Sequence, residues 1–145
     1  MSDQSYWAIL GHIWVNAPKT KGKFDRRYLE AYHRLFVSGR PERNKLMTPA
    51  EYKKLTSLLS PLTVHRGCQA MVNERGLSWS LKIETGVNFA YTYYDYDRLW
   101  LEGTCEVSKT YAYFDYDNEH EIIIEGEEVD VHKRTMISLP LDQYF

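Results

Sequence analysis

Apolar residues recur every three or four positions through the first third of the chain, then in short runs and alternations through the rest. Trp7, Leu10 and Trp14 fall at i, i+3 and i+7, with Ile9 and Ile13 beside them, which is the spacing of one helix face. A basic loop, Lys19-Thr20-Lys21-Gly22-Lys23, follows. Phe24, Tyr28, Tyr32, Leu35 and Phe36 then hold helical spacing up to Gly39, read as a C-cap. Thr48-Pro49-Ala50-Glu51 combines an N-cap Thr, a first-turn Pro and a Glu three residues past the cap. It predicts a helix with Tyr52, Leu55, Leu58 and Leu59 on one face, stopped by Pro61.

After Pro61 the texture changes to short β-like runs. They cover Leu62 to Arg66, Gly76 to Ser80, Leu99 to Val107, Thr110 to Phe114, His120 to Glu125 and Val129 to His132. One helix, from Glu84 to about Tyr91, interrupts them with Val87 and Tyr91 on its apolar side. Helices first and strands later predict an α+β domain rather than alternating βαβ units. Residues 1–145 read as one domain, helical and basic over 1–60 and β-rich over 61–145.

Composition narrows the picture. A chain of 145 residues, 43% hydrophobic and 26% charged, has the make-up of an ordinary globular domain. A domain of this size buries roughly 68–70% of its unfolded surface and can fold without disulfides or metal. The two cysteines, Cys68 and Cys105, stand in no CxxC or Cys/His cluster, so we expect small buried side chains in a reducing compartment. The start, MSDQSYWAILGHIWVNAP, has an acidic residue and a broken apolar run, so neither a signal peptide nor a membrane anchor is expected, and a cytoplasmic location is. The net charge of −2 conceals an asymmetry. Ala17 to Lys54 carries eleven Lys and Arg against four Asp and Glu, and the remainder carries seven against sixteen. A basic segment attracts an anionic partner or is a solvated helical face.

Several chemistries have no motif here. No GxGxxG, GxxxxGK[ST] or GxSxG occurs, and the five His lie too far apart in sequence for a metal-ligand spacing, so no metal is expected. Three elements remain. Asn118-Glu119-His120-Glu121 runs into Ile122-Ile123-Ile124. A strand rising about 3.3 Å per residue would put Glu119 and Glu121 on one side, roughly 6.6 Å apart. Two such carboxylates suit chemistry at a cationic sugar centre, one stabilising charge and the other taking a proton. Arg66 ends a buried-type run and precedes Gly67, so it could clamp a phosphate with Gly67 permitting close approach. Gly76-Leu77-Ser78-Trp79-Ser80 sets two hydroxyls on one strand face, where Ser78 could orient a carboxylate. Each element also has an ordinary reading: a solvated strand end, a salt-bridged arginine, outward serines.

Their order and spacing together resemble the Arg-Ser-Glu class of mono-ADP-ribosyltransferases, which includes cholera-type and clostridial binary toxins and many small phage and bacterial proteins. The resemblance rests on His65-Arg66-Gly67, on Gly76-Leu77-Ser78-Trp79-Ser80 through Phe89-Ala90, and on Ala112-Tyr113-Phe114 leading into Asn118-Glu119-His120-Glu121-Ile122-Ile123-Ile124. It spans about Leu62 to Val131, roughly half the chain, and the N-terminal helices match only loosely. Trp79 is bulkier than the Thr of the toxin pattern, but a middle strand residue points to the opposite face.

The resemblance implies an ADP-ribosyltransferase-like fold, with two packed, mainly antiparallel sheets forming an NAD cleft. It implies that Arg66 grips the phosphates of NAD beside Gly67, that Ser78 orients Glu121, and that Ser80 supports the same strand. Glu121 would stabilise the oxocarbenium-like ribose, Glu119 would activate the acceptor, and Phe89 would pack near the nicotinamide. The turn Asp115-Tyr116-Asp117-Asn118 would recognise the target through Tyr116 and Asn118. NAD is then a substrate, and the acceptor is a macromolecule: first a protein arginine, alternatively RNA or DNA drawn by the basic segment. A toxin or phage effector of this kind would have a cognate antitoxin or immunity protein as partner. A catalytically silent binding module with the same fold is the third reading.

Overall fold

A computed structural model describes residues 1–17, 26–93 and 97–137. Helix α1 spans Asp3–Asn16, with Ser2 as a side-chain N-cap on Ser5 and Asp3 in the first turn, where a negative charge suits the helix dipole. It buries Trp7, Leu10 and Trp14 as their spacing predicts, whereas Ile9 and Ile13 face outward. Helix α2 spans Arg26–Phe36 and buries Phe36 completely. The expected cap at Gly39 is not formed: the helix ends three residues earlier, and no described glycine has a positive φ. Lys19 to Lys23 and Phe24 lie outside the described residues. Helix α3, Pro49–Ser57, carries the full capping box between Thr48 and Glu51.

The remaining elements are β1 (Leu62–Gln69), β2 (Ser78–Ser80), α4 (Ile83–Tyr93), β3 (Arg98–Cys105), β4 (Ala112–Phe114), β5 (Glu121–Ile123) and β6 (Asp130–Met136). The architecture is therefore α+β. The six strands are antiparallel and lie in one sheet, in the order β4-β5-β2-β1-β3-β6. Two separate sheets were expected, and the described residues form one. It has a narrow joint: β1 pairs with β3 over eight residues, but with β2 only at His65 opposite Ser80. Two three-stranded halves, β4-β5-β2 and β1-β3-β6, thus meet at a single residue pair.

The main core gathers Trp7, Leu10, Trp14 and Phe36 from the helices onto Val64, Cys68, Trp79, Leu99, Leu101, Tyr113, Phe114 and Ile122 to Ile124. Trp100 alternates to the other face of β3 and joins Val87, Ala90 and Ile137 in a second cluster beneath α4. Burial on both faces explains the unbroken apolar run Leu99 to Leu101. Cys68 and Cys105 are free and buried, and burial pushes both thiols up to about 11, so they stay protonated and unreactive. No helix among the described residues is long and apolar enough to cross a membrane.

Helix α4 crosses β1 where Gly67 meets Gly86. A Cβ on Gly67 would lie 2.5 Å from the Ala90 nitrogen and closer still to the Gly86 carbonyl oxygen. A Cβ on Gly86 would sit 2.6 Å from the Cβ of His65. Gly67 is therefore a helix-crossing residue, and α4 fills the space its missing Cβ leaves. Gly67→Ala gains a fraction of the ~1 kcal/mol span of strand propensity. It forces backbone apart in a packed crossing, which costs about 1–3 kcal/mol. A lower urea midpoint for Gly67→Ala with unchanged m-value is the expected result.

Candidate active site

Strand β5 brings Glu121 opposite Ser80 in the β2 register, with Ser78 two residues along the same face. The Ser78 hydroxyl donates a hydrogen bond to Glu121 Oε2. The other carboxylate oxygen, Oε1, accepts from the indole Nε1 of Trp14 at 2.9 Å. The hydrogen bonds of Ser80 go elsewhere than the carboxylate. Its hydroxyl donates to the Glu119 carbonyl at 2.7 Å and accepts from the Lys82 N–H at 3.0 Å, which ties the end of β2 to the turn before β5. Trp79 points the other way, buried in the main core with its Nε1 donating to the Gly76 carbonyl at 2.9 Å.

Glu119 lies in a turn, not on the strand. A 3-10 turn spans Tyr116–Asn118, Glu119 closes it with right-handed helical backbone, and β5 begins at Glu121. Asp117, Asn118 and His120 all have positive φ, at 53°, 56° and 48°. The alternation that predicts Glu119 and Glu121 on one face therefore stops at His120. Non-glycine residues rarely adopt such backbone, and here it is held by a dense polar set. Burial and Asp115 push the Tyr113 hydroxyl up to about 12, so it stays protonated, and it is hydrogen-bonded with His120 Nδ1 at 2.8 Å. His120 Nε2 is in turn hydrogen-bonded with Asn118 Oδ1 at 2.8 Å. The Asp115 N–H donates to Glu51 Oε2 at 2.8 Å, while Oε1 of the same carboxylate caps α3 through the Thr48 N–H. Tyr116 stands on this turn 47% exposed, and Asn118 is exposed beside it.

Arg66 is 6% exposed and grips backbone. Its Nη1 donates to the Ser78 carbonyl at 2.7 Å, and Nη2 and Nε donate to the Asn73 carbonyl at 2.8 and 3.3 Å. The guanidinium lies over Gly76, where a Cβ would come within 2.5 Å of Cζ. The expected phosphate fork is thus turned on the segment leading into β2, and it holds the strand that carries Ser78. The same segment is anchored at its start by Asn73, whose Oδ1 accepts the Gln69 N–H at 2.9 Å. Glu74 anchors it further, accepting from the Met71 N–H at 2.7 Å and from Arg134 of β6 at 2.8 and 3.0 Å. Phe89 is half-buried on α4.

Two grooves flank these elements. One, of about 800 Å³, runs between α1, α3 and the turn before β5, and is lined by His12, Asn16, Lys45, Glu51, Tyr116 and His120 among others. The other, of about 780 Å³, lies between α2, the 71–77 segment and residues 125–127. Among the described residues, no cluster of three or more His, Cys, Asp or Glu forms a metal-ligand set.

The structure thus unites Ser78, Ser80, Glu119 and Glu121 around the β2–β5 pair, with Arg66 behind them. Sequence reasoning missed Trp14, whose only signal was membership of an apolar helix face. It missed Glu51's second bond and the Glu74–Arg134 pair as well. No family model matches the chain, and no curated protein or solved structure does either.

The Arg134 guanidinium, hydrogen-bonded to Glu74, holds that carboxyl well below its ordinary value, at about 2, with the Met71 N–H assisting against desolvation. A depressed folded pKa contributes stability that is complete above the unfolded value near 4.5 and is lost as pH falls toward 2. Thermal midpoints measured from pH 6 down to pH 2 should fall across this window, and Glu74→Gln should flatten that part of the profile.

Proposed function

We propose that this chain is a mono-ADP-ribosyltransferase that transfers ADP-ribose from NAD to a macromolecular acceptor, first of all a protein arginine. The observation that carries the reading is the Ser78 hydroxyl on the Glu121 carboxylate across the β2–β5 pair. A serine that holds a carboxylate this way fixes a negative charge in place before any substrate arrives. Breaking the bond between the ribose C1′ and nicotinamide sends the electron pair to nicotinamide and leaves positive charge on the ribose. Glu121 would face that charge. An acceptor guanidinium nitrogen would then attack C1′ and lose a proton, which a carboxylate on the adjoining turn can take. Glu119 supplies that carboxylate. The exposed Tyr116 beside it suits contact with a protein surface.

Arg66 enters the reading as the residue that keeps Ser78 in line through its carbonyl.

Incubation with NAD labelled on the adenylate, together with a cell lysate, tests the whole reading: labelled protein supports it, and no nicotinamide release under any condition overturns it. Glu121→Gln preserves shape and removes charge, so turnover should drop by at least about 10²–10³, the scale of one oriented electrostatic group. Near-normal turnover in a folded Glu121→Gln protein removes Glu121 from its role. Glu119→Gln should abolish transfer to arginine and spare hydrolysis of NAD by water, since water needs no deprotonated guanidinium. Equal loss of both activities assigns Glu119 elsewhere.

A further inference from the structure

Trp14 stands 107 residues before Glu121, in the half of the chain that carries none of the motif residues, yet its indole reaches the carboxylate. The ring is 2% exposed and held edge-on against Tyr32 and Phe36, with centroids 4.9 and 5.3 Å away and interplanar angles of 86°. A buried indole N–H needs an acceptor. Here that acceptor is Oε1 of Glu121, at 2.9 Å, while Ser78 occupies Oε2. The two donors differ in what they fix. One donor leaves a carboxylate free to turn about its final torsion, which is broad and soft. Two donors from different elements, each on its own oxygen, fix the plane of the group.

We propose that Trp14 is a positioning residue for Glu121: its indole N–H, delivered by α1 and wedged by α2, sets the carboxylate plane for the step that breaks the bond to nicotinamide. This rests on the transferase reading above. It makes the helical first third part of the active site and not merely its support. Each carboxylate oxygen has two lone pairs, so one donor on each leaves a second for a ribose hydroxyl. The loss expected on removing the N–H is that of one hydrogen bond to a charged group, about ten- to a hundred-fold in rate.

The test is Trp14→Phe, which retains an aromatic ring against Tyr32 and Phe36 and removes the donor. The kcat for nicotinamide release measured on the folded fraction should fall about ten- to a hundred-fold, with the KM for NAD close to wild type, while the lost core volume lowers the thermal midpoint. A packing role alone would lower the thermal midpoint and leave the kcat of the folded fraction intact, and that result overturns the proposal. A second measurement does not depend on activity. The chain has four tryptophans and hence four indole N–H signals in a nitrogen-proton NMR spectrum. The signal missing from Trp14→Phe should move in Glu121→Gln, and a signal that does not move overturns the contact. If wild type releases no nicotinamide while that signal still moves, the transferase reading and this catalytic role fall together and only the contact survives.

Discussion

Arg66 sits at the point where the two halves of the sheet are joined by one residue pair. Its guanidinium spans the gap that the ladder does not close, from β1 to the Ser78 carbonyl at the start of β2 and to the Asn73 carbonyl before it. Hydrogen bonds from a charged donor are about twice as strong as neutral ones, and the planar fork sets direction as well as distance. A buried guanidinium is also costly to leave unmet, so the backbone it grips has little freedom to drift. Gly76 fits this constraint, because a Cβ there would press on the guanidinium and shift it from its carbonyls. The position of Ser78, and through it the orientation of Glu121, depends on that grip.

From Glu121 the contacts run outward into the helical half of the molecule by two independent routes. Trp14 joins the carboxylate to α1, and the T-shaped contacts of its ring carry the link to α2. Glu51 joins the turn before β5 to α3, dividing its two oxygens between a helix cap and the Asp115 N–H. The positive φ values at Asp117, Asn118 and His120 sit between these routes. Backbone of that kind costs of order 1–3 kcal/mol per residue and persists only where surrounding contacts over-determine it. The Tyr113–His120–Asn118 chain, the Ser80 bond to the Glu119 carbonyl and the Glu51 bond provide those contacts. The functional reading thus acquires a physical frame: a rigid carboxylate on a strand, next to a second carboxylate on a strained but tethered turn.

How far the chain announces this depends on the range of each interaction. The α3 capping box was legible because all its partners lie within four residues. The order of helices and strands was legible because side-chain periodicity is a local property; the turn of Trp79 to the face opposite the two serines followed from strand alternation, and the Ser78 to Glu121 pairing was reached through the resemblance. Glu119 was misplaced on the strand because nothing in Asn118-Glu119-His120-Glu121 marks left-handed backbone in the way a glycine would; tertiary hydrogen bonds impose it. Gly67 was read as making room for a ligand because the sequence does not say which helix crosses the strand there. Arg66 was read as facing a phosphate because an arginine's acceptors are carbonyls supplied by another segment, and carbonyls are common to every residue. The sequence by itself determined the elements, the α+β class and the identity of the polar groups. Only the tertiary structure decided that the sheet is one with a narrow joint, that Trp14 meets Glu121 and that Arg66 grips backbone, because each depends on contacts between segments that the local pattern does not relate.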